Sequence, residues 1–306
     1  MRRRPRGRTR GGSLFYIVVT LLALAGVWYY ITFHARPYVG NGVAVHFLDV
    51  GQGDATLIRT DAGNVLIDGG DRHAGPIVAR YLREAGVRRL EYVVATHPHA
   101  DHIGGLIYVL NEFEVGAIIM PNVAHTTRTF EDFIDAIEEN GIPVREPAVG
   151  KTIEKGGAVF TVVAPNSSGY GNLNDYSVSM VLSYGEIRFL FTGDAERESE
   201  TEMLEAGHDL SAHILHVGHH GSRTSTTQPF LDAVSPLVAV ISVGAENRFG
   251  HPHGEVTDRL ETAEVAILRT DRHGTVVIST DGTTFTMRYL DRTVVVAADG
   301  RTLSVR

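Results

Sequence analysis

Apolar positions along this chain change period repeatedly, and each change marks an element. Residues 43–50, 54–60 and 64–68 are short β-type runs broken by glycine and aspartate, the pattern of a strand meander. Ile77, Val78, Tyr81 and Leu82 then recur at helical spacing, with Gly86 as a stop. Residues 90–96 read as a buried strand, 103–110 as a helix, 117–120 as a strand, and 129–140 as an amphipathic helix closed by Gly141-Ile142-Pro143. The second half repeats the logic. Strands are predicted at 161–163, 177–183, 187–191, 214–217, 238–243, 267–270, 275–279 and 284–289, with helices at 196–205, 228–234 and 255–262. Strands precede helices twice, which predicts an α/β domain over residues 43–290 and a C-terminal tail over 291–306. Two sheets face to face with helices outside, an αββα sandwich, is the natural architecture.

The amino terminus breaks this pattern. Residues 1–12 hold six arginines and no acid, and residues 14–33 follow without a charge, long enough for one helix to cross a bilayer. Trp28, Tyr29 and Tyr30 sit near the far end, where amphipathic rings favour the headgroup layer. The prediction is a basic cytoplasmic flank (1–13), a single transmembrane anchor (14–33), a linker (34–42) and a domain outside the cytoplasm. Ala23-Leu24-Ala25 offers the alternative of a cleaved signal peptide and a secreted protein.

Composition narrows the chemistry. The 306 residues contain no cysteine, so disulfides and thiolate ligands are excluded and any metal site must use His, Asp and Glu. Seven arginines and no acid in the first 40 residues, against a chain total of −8, leave the remainder at −15. Only Lys151 and Lys155 are lysines. Such a surface repels polyanions at long range and argues against a broad, sequence-independent grip on DNA through many phosphate contacts; a high-salt habitat is the other reading of the same composition.

The richest stretch is His97-Pro98-His99-Ala100-Asp101-His102, four potential ligands in six residues at the end of a buried strand. His97 and His99 are spaced to grip one cation from one side, and Asp101 with His102 to face a second. Imidazole plus carboxylate suits zinc, manganese or iron rather than calcium or magnesium.

With this loop the chain resembles the metallo-β-lactamase fold hydrolases. It looks closest to the branch found as the C-terminal domain of the DNA-uptake protein ComEC and in its stand-alone relatives. The residues that carry the resemblance are His46-Phe47-Leu48-Asp49-Val50-Gly51-Gln52-Gly53-Asp54, the loop 97–102, Asn174-Asp175-Tyr176-Ser177, Phe191-Thr192-Gly193-Asp194, His219-His220-Gly221-Ser222 and Gly250-His251-Pro252-His253.

The resemblance implies a site with two divalent metal ions, Zn or Mn. His97 and His99 hold one ion, Asp101 and His102 the other, and Asp194 bridges them. It implies His220 as a further ligand, with His219 beside the substrate as proton donor or phosphate contact; the swap of these two stays open. Many members carry a third His before Thr-Gly-Asp, but residues 152–192 hold none. Asp175 is the expected replacement, the other reading being a turn carboxylate bonded to local backbone. His125 is expected elsewhere. His253 is expected to orient a substrate oxygen or act as acid, or else to cap the following helix. Asp49, Gln52, Asp54 and Asp68 are expected to support the site through hydrogen bonds. His34, His46, His73, His208, His213, His216 and His273 read as packed or surface residues.

A pair of cations bridged by one carboxylate activates water as hydroxide at neutral pH, so hydrolysis is the reaction class, with Asp101, His219 and His253 as catalytic candidates. The branch implies a phosphodiester substrate, with single-stranded DNA the candidate, and a membrane partner through the N-terminal helix. The alternatives are an amide, ester or thioester hydrolase, or a non-catalytic tethered binding module.

Overall fold

The computed structural model of the chain describes residues 16, 19–21, 23–24 and 42–305. The expected flank and linker fall outside these apart from Gly42, and of the expected span six residues are described, all helical. Among the described residues no helix is long and apolar enough to cross a membrane. Residues 1–38 and 39–306 are separate units. All that follows concerns the second.

Its strands, in chain order, are β1 (Val43–Phe47), β2 (Thr56–Thr60), β3 (Gly63–Ile67), β4 (Arg89–Leu90), β5 (Tyr92–Val94), β6 (Glu114–Val115), β7 (Ile118–Ile119), β8 (Val144–Arg145), β9 (Thr152–Lys155), β10 (Ala158–Ala164), β11 (Ser179–Tyr184), β12 (Ile187–Phe191), β13 (Ile214–His216), β14 (Val238–Ile241), β15 (Ala266–Arg269), β16 (Val276–Thr280), β17 (Thr284–Tyr289), β18 (Arg292–Ala297) and β19 (Thr302–Val305). The helices are α1 (Gly75–Glu84), the single turn α2 (Ala100–Ile103), α3 (Leu106–Glu112), α4 (Arg128–Glu139), α5 (Arg197–Glu205), α6 (Gln228–Val234), α7 (Gly254–Thr262) and the single turn α8 (Thr270–His273).

Strand alternation decides the layers. Val43, Val45 and Phe47 of β1 enter a core between two sheets, with Ile58, Val65 and Ile67 from β2 and β3 and Phe160, Phe189 and Phe191 from the opposite sheet. Leu57 and Leu66, out of phase with these, pack instead on Val78 and Leu82 of α1, Val109 of α3 and Phe133 of α4. Leu190, Leu215 and Ala239 likewise back onto Met203 of α5, Phe230 of α6 and Leu260 of α7. The result is the four-layer sandwich that the sequence predicts. Each buried Phe or Leu contributes about 1.5–3 kcal/mol, and a one-residue slip would send the whole β1 set to the wrong face. Register is therefore strongly specified.

The first sheet runs β19-β18-β17-β16-β1-β2-β3-β5-β7-β8 and the second β15-β14-β13-β12-β11-β10-β9; β4 and β6 pair separately. β12, β13 and β14 are parallel, with Phe191 opposite His216 and His216 opposite Val240. β3 and β5 are parallel in the first sheet, with Ile67 opposite Val94. Loops leaving the carboxyl ends of parallel strands emerge at one edge, which is where ligands meet such sheets.

The expected tail is corrected. β18 and β19 extend the first sheet, with Val296 buried in the inter-sheet core.

Candidate metal centre

Four loops bring the site together. β5 runs into Thr96 and His97, and α2 follows at once, so that Asp101 and His102 stand one helical turn further on. β12 runs into Thr192-Gly193-Asp194, where Gly193 takes φ +52; a side chain there would crowd Thr96 and Ser177 at 3.0–3.1 Å. β13 runs into Gly218-His219-His220-Gly221, and the loop before β2 brings in Asp54. Gly53, at φ +130, lets that loop lie on the backbone of Asp101; an added Cβ would sit 2.3 Å from its carbonyl oxygen.

The ligand atoms converge on Asp194. Its Oδ2 lies 3.7 Å from His97 Nε2 and 3.3 Å from His102 Nε2, and its Oδ1 lies 3.7 Å from His220 Nε2. His97 Nε2 and His99 Nδ1 are 2.9 Å apart, and Asp101 Oδ2 is 3.4 Å from His220 Nε2. His97, His99 and Asp194 form one group with donor atoms within 4.8 Å of one another, and Asp101, His102 and His220 a second. Asp54 joins Asp194 and His220 in a third grouping, deeper in the site than the supporting role expected for it.

The opposite nitrogens of His102, His220 and His97 are held from behind. His102 Nδ1 lies 2.8 Å from Asp68 Oδ2, and Asp68 in turn accepts from the Thr96 amide and hydroxyl at 2.8 and 2.7 Å. His220 Nδ1 donates to the Ser242 carbonyl at 3.0 Å. His97 Nδ1 lies 3.1 Å from Thr96 Oγ1 and 3.3 Å from Ser177 Oγ, and Ser177 Oγ also accepts from the Asp194 amide at 3.0 Å. Partners of this kind fix tautomer and ring angle and leave the far nitrogen's lone pair available to a cation.

Unsatisfied atoms test the fit. His102 Nε2, His220 Nε2, Asp194 Oδ1 and both oxygens of Asp54 are buried and make no hydrogen bond. Leaving such groups unpaired is costly, and a cation is the partner that their convergence fits. The carboxylates of Asp54, Asp68, Asp101 and Asp194 match the charge of two divalent ions.

Electrostatics agrees. Burial opposes a charged His102, but Asp194 and Asp68 outweigh it and raise its pKa well above the ordinary value. His220 is raised the same way, by Asp194 and Asp54 against burial. Burial is overcome at Asp194 as well, where His102 and His220 hold the carboxyl well below its usual range. Protons on these imidazoles are what divalent ions would displace, so binding is coupled to proton release.

His219 and His220 both turn inward, although neighbouring residues ordinarily diverge. Their φ values of +49 and +55 are left-handed in succession, which aims His219 Nε2 at Asp194 Oδ2, 3.7 Å away, beside its neighbour. His219 Nδ1 lies 2.8 Å from Glu196 Oε1. Glu196 is fastened by Asn174 Nδ2 and Asn172 Nδ2, each at 3.0 Å. Glu196 has no role among the sequence-based expectations; its position two residues after Asp194 is the signal that could have found it.

Two expected residues are not brought to the cluster. Asp175 Oδ1 accepts from the amides of Glu196 and Ser199, at 2.9 and 3.1 Å, and so satisfies the start of α5. One oxygen of its carboxylate is thus taken by backbone amides distant in sequence rather than by the local backbone of a turn. His253 Nδ1 accepts from the Arg223 amide at 3.0 Å, and the residue is the N-cap of α7. Its neighbour in the motif, His251, faces the site instead, with ring centroids 5.4 Å from His219 and 6.2 Å from His220. Burial, followed by His219 and His220, lowers the His251 pKa to about 4.

Three other placements complete the picture. His125, expected elsewhere, lies 5.6 Å from His99 by ring centroids. Asp49 is exposed and accepts from the Gly51 amide in its own turn, away from any supporting role. Gln52 Oε1 accepts from the Gly244 amide at 3.2 Å, tying two rim loops together.

Residues 48–245 match the family model described as the metallo-beta-lactamase superfamily. The chain is 29% identical over 258 residues to ComE operon protein 3 of Bacillus subtilis (strain 168), covering 78% of this chain and 33% of that protein. It is 31% identical over 258 residues to Competence protein ComA of Neisseria gonorrhoeae, covering 83% of this chain and 34% of that protein. It therefore spans about a third of the length of these relatives. Among solved structures it is similar to CmlA, a diiron beta-hydroxylase from Streptomyces venezuelae, with a TM-score of 0.53, 14% identity and coverage of 80% of this chain and 55% of that one. At that identity the likeness shows the fold alone.

Proposed function

The chain belongs to the metallo-beta-lactamase superfamily, and we propose on that premise that it is a phosphodiesterase with two divalent ions, zinc or manganese. Single-stranded DNA is its candidate substrate, and the segment 14–33 tethers it with the catalytic domain outside the cytoplasm. One observation carries the reading: two ligand groups meet at the Asp194 carboxylate, with buried, hydrogen-bond-free donor atoms aimed at the same space. His97, His99 and Asp194 would hold one ion, and Asp101, His102, His220 and Asp194 the other. Bound there, the ions supply Lewis acidity and an activated water at neutral pH.

The protein's own groups do the rest. Asp68, Ser242 and Thr96 hold the imidazoles in orientation from behind. His219, its Nδ1 bonded to Glu196, presents Nε2 above Asp194, where a proton passes to the departing oxygen. His251 lines the same side of the cleft as a neutral ring.

The test is turnover of bis(p-nitrophenyl) phosphate, single-stranded DNA and a β-lactam by the full chain, with Mn and Zn in parallel and metal content measured. Diester turnover with two ions per chain is expected. Asp194→Ala should lose both ions and at least about a thousandfold in kcat/KM, or ~4 kcal/mol of transition-state stabilisation. Full metal without turnover would leave a binding module, and lactam turnover would leave the amide reading.

A further inference from the structure

We propose that Phe249, with Arg248 over its ring, forms a stacking subsite for a base of a single-stranded polynucleotide beside the metal centre. The inference rests on the phosphodiesterase reading and names the part of the substrate that this rim contacts.

Phe249 is 47% exposed. Among the large apolar side chains left exposed in the described residues, it is the one in ring contact with the rim of the centre. Its ring is stacked on His251 at a centroid distance of 5.6 Å and 23° between planes, and His251 in turn contacts His219 and His220. The Arg248 guanidinium carbon lies 5.0 Å from the Phe249 centroid. A planar group placed against this stack is separated from His219 by two rings, Phe249 and His251.

The exposure is built into the loop. Asn247 Oδ1 accepts from the amides of Phe249 and His251, at 3.2 and 2.9 Å. Asn247 Nδ2 donates to the carbonyls of His251 and Gly244, at 2.7 and 3.0 Å. Gly244 is bonded to Gln52 of the facing rim, so the loop that carries Phe249 is pinned at both sides. An aromatic ring held out at the mouth of a reactive centre favours a partner with a π-face.

Charge decides how such a partner is held. With −15 on the chain beyond residue 40, a polyanion cannot be held by a broad basic surface. Stacking needs no net charge and tolerates any base, and an adjacent guanidinium adds a cation for the neighbouring phosphate. Bases in a duplex are already stacked inside, so the subsite distinguishes single strands from double.

The experiment measures binding of fluorescent oligothymidylate and of an abasic oligomer of equal length to the full chain, at fixed low salt. Phe249→Ala should weaken oligothymidylate binding about tenfold or more, leave the abasic oligomer unchanged, and be rescued by Phe249→Trp. Equal loss on both oligomers, or none on either, would overturn the subsite. Turnover of bis(p-nitrophenyl) phosphate by the unsubstituted chain reports separately on the hydrolytic reading, which stands or falls without the subsite.

Discussion

A carboxylate earns its role from what its oxygens touch, and Asp175 is the case in point. Its Oδ1 accepts from the amides of Glu196 and Ser199 at the start of α5, 21 and 24 residues away in sequence. Asp175→Ala should therefore act as the loss of a helix cap, costing about 1–2 kcal/mol of stability, with two ions per chain retained. Asp175→Asn, which keeps an acceptor oxygen, should recover part of that stability. Denaturant unfolding with elemental analysis checks both, and a fall to one ion per chain would restore the ligand reading. The contrast with the loop 97–102 explains what was legible. Ligands packed into six residues announce themselves, because their chemistry is local. Asp175 and His253 are settled by amides 21 to 30 residues away, and a motif does not display partners at that distance.

Elements carry the next level of constraint, and β1 shows a polar residue hidden in an apolar pattern. Val43, Val45 and Phe47 give β1 its alternation, and His46 takes the opposite face, fully buried against α1, with Nδ1 2.8 Å from the Tyr81 hydroxyl. Burial, followed by the nearby charges of Arg59 and Arg288, lowers the His46 pKa to about 3. The unfolded chain binds a proton near the ordinary value of 6.5, so it holds more protons than the folded chain between pH 6.5 and 3. Stability is therefore lost as pH falls through that window, by at most about 5 kcal/mol. Urea unfolding at several pH values in chelator should show a shallower acid limb for His46→Leu than for the parent. Identical slopes would mean that His46 does not titrate in this way. Most strands and helices were legible from period alone, because both sheets bury regular alternations. β18 and β19 were not. Their residues are half-exposed at a sheet edge and mixed with Arg and Asp, so the pattern reads as a tail until Val294 and Val296 are seen against the core.

Over the whole molecule the deciding quantity is charge, since an acidic body is asked to hold a polyanion. Among the described residues, Arg248 and Arg223 are exposed near the centre; Arg223 follows the His219-His220 loop and pairs with Glu255 at 3.2 Å. Two phosphate contacts predict that log K for single-stranded DNA falls against log salt with a slope of about −1.4. A protein that grips through six to ten contacts would give roughly −4 to −7 instead. Anisotropy titrations of oligothymidylate between about 50 and 200 mM salt separate these regimes. The shallow slope is expected for a chain starting at Val39, the boundary of the second unit, where no arginine-rich segment remains. A steeper slope with the full chain would trace to the six arginines of residues 1–12, which lie outside the described residues. A steep slope with the shorter chain would require basic contacts that this acidic surface does not offer, and would remove the reason for assigning affinity to stacking at Phe249.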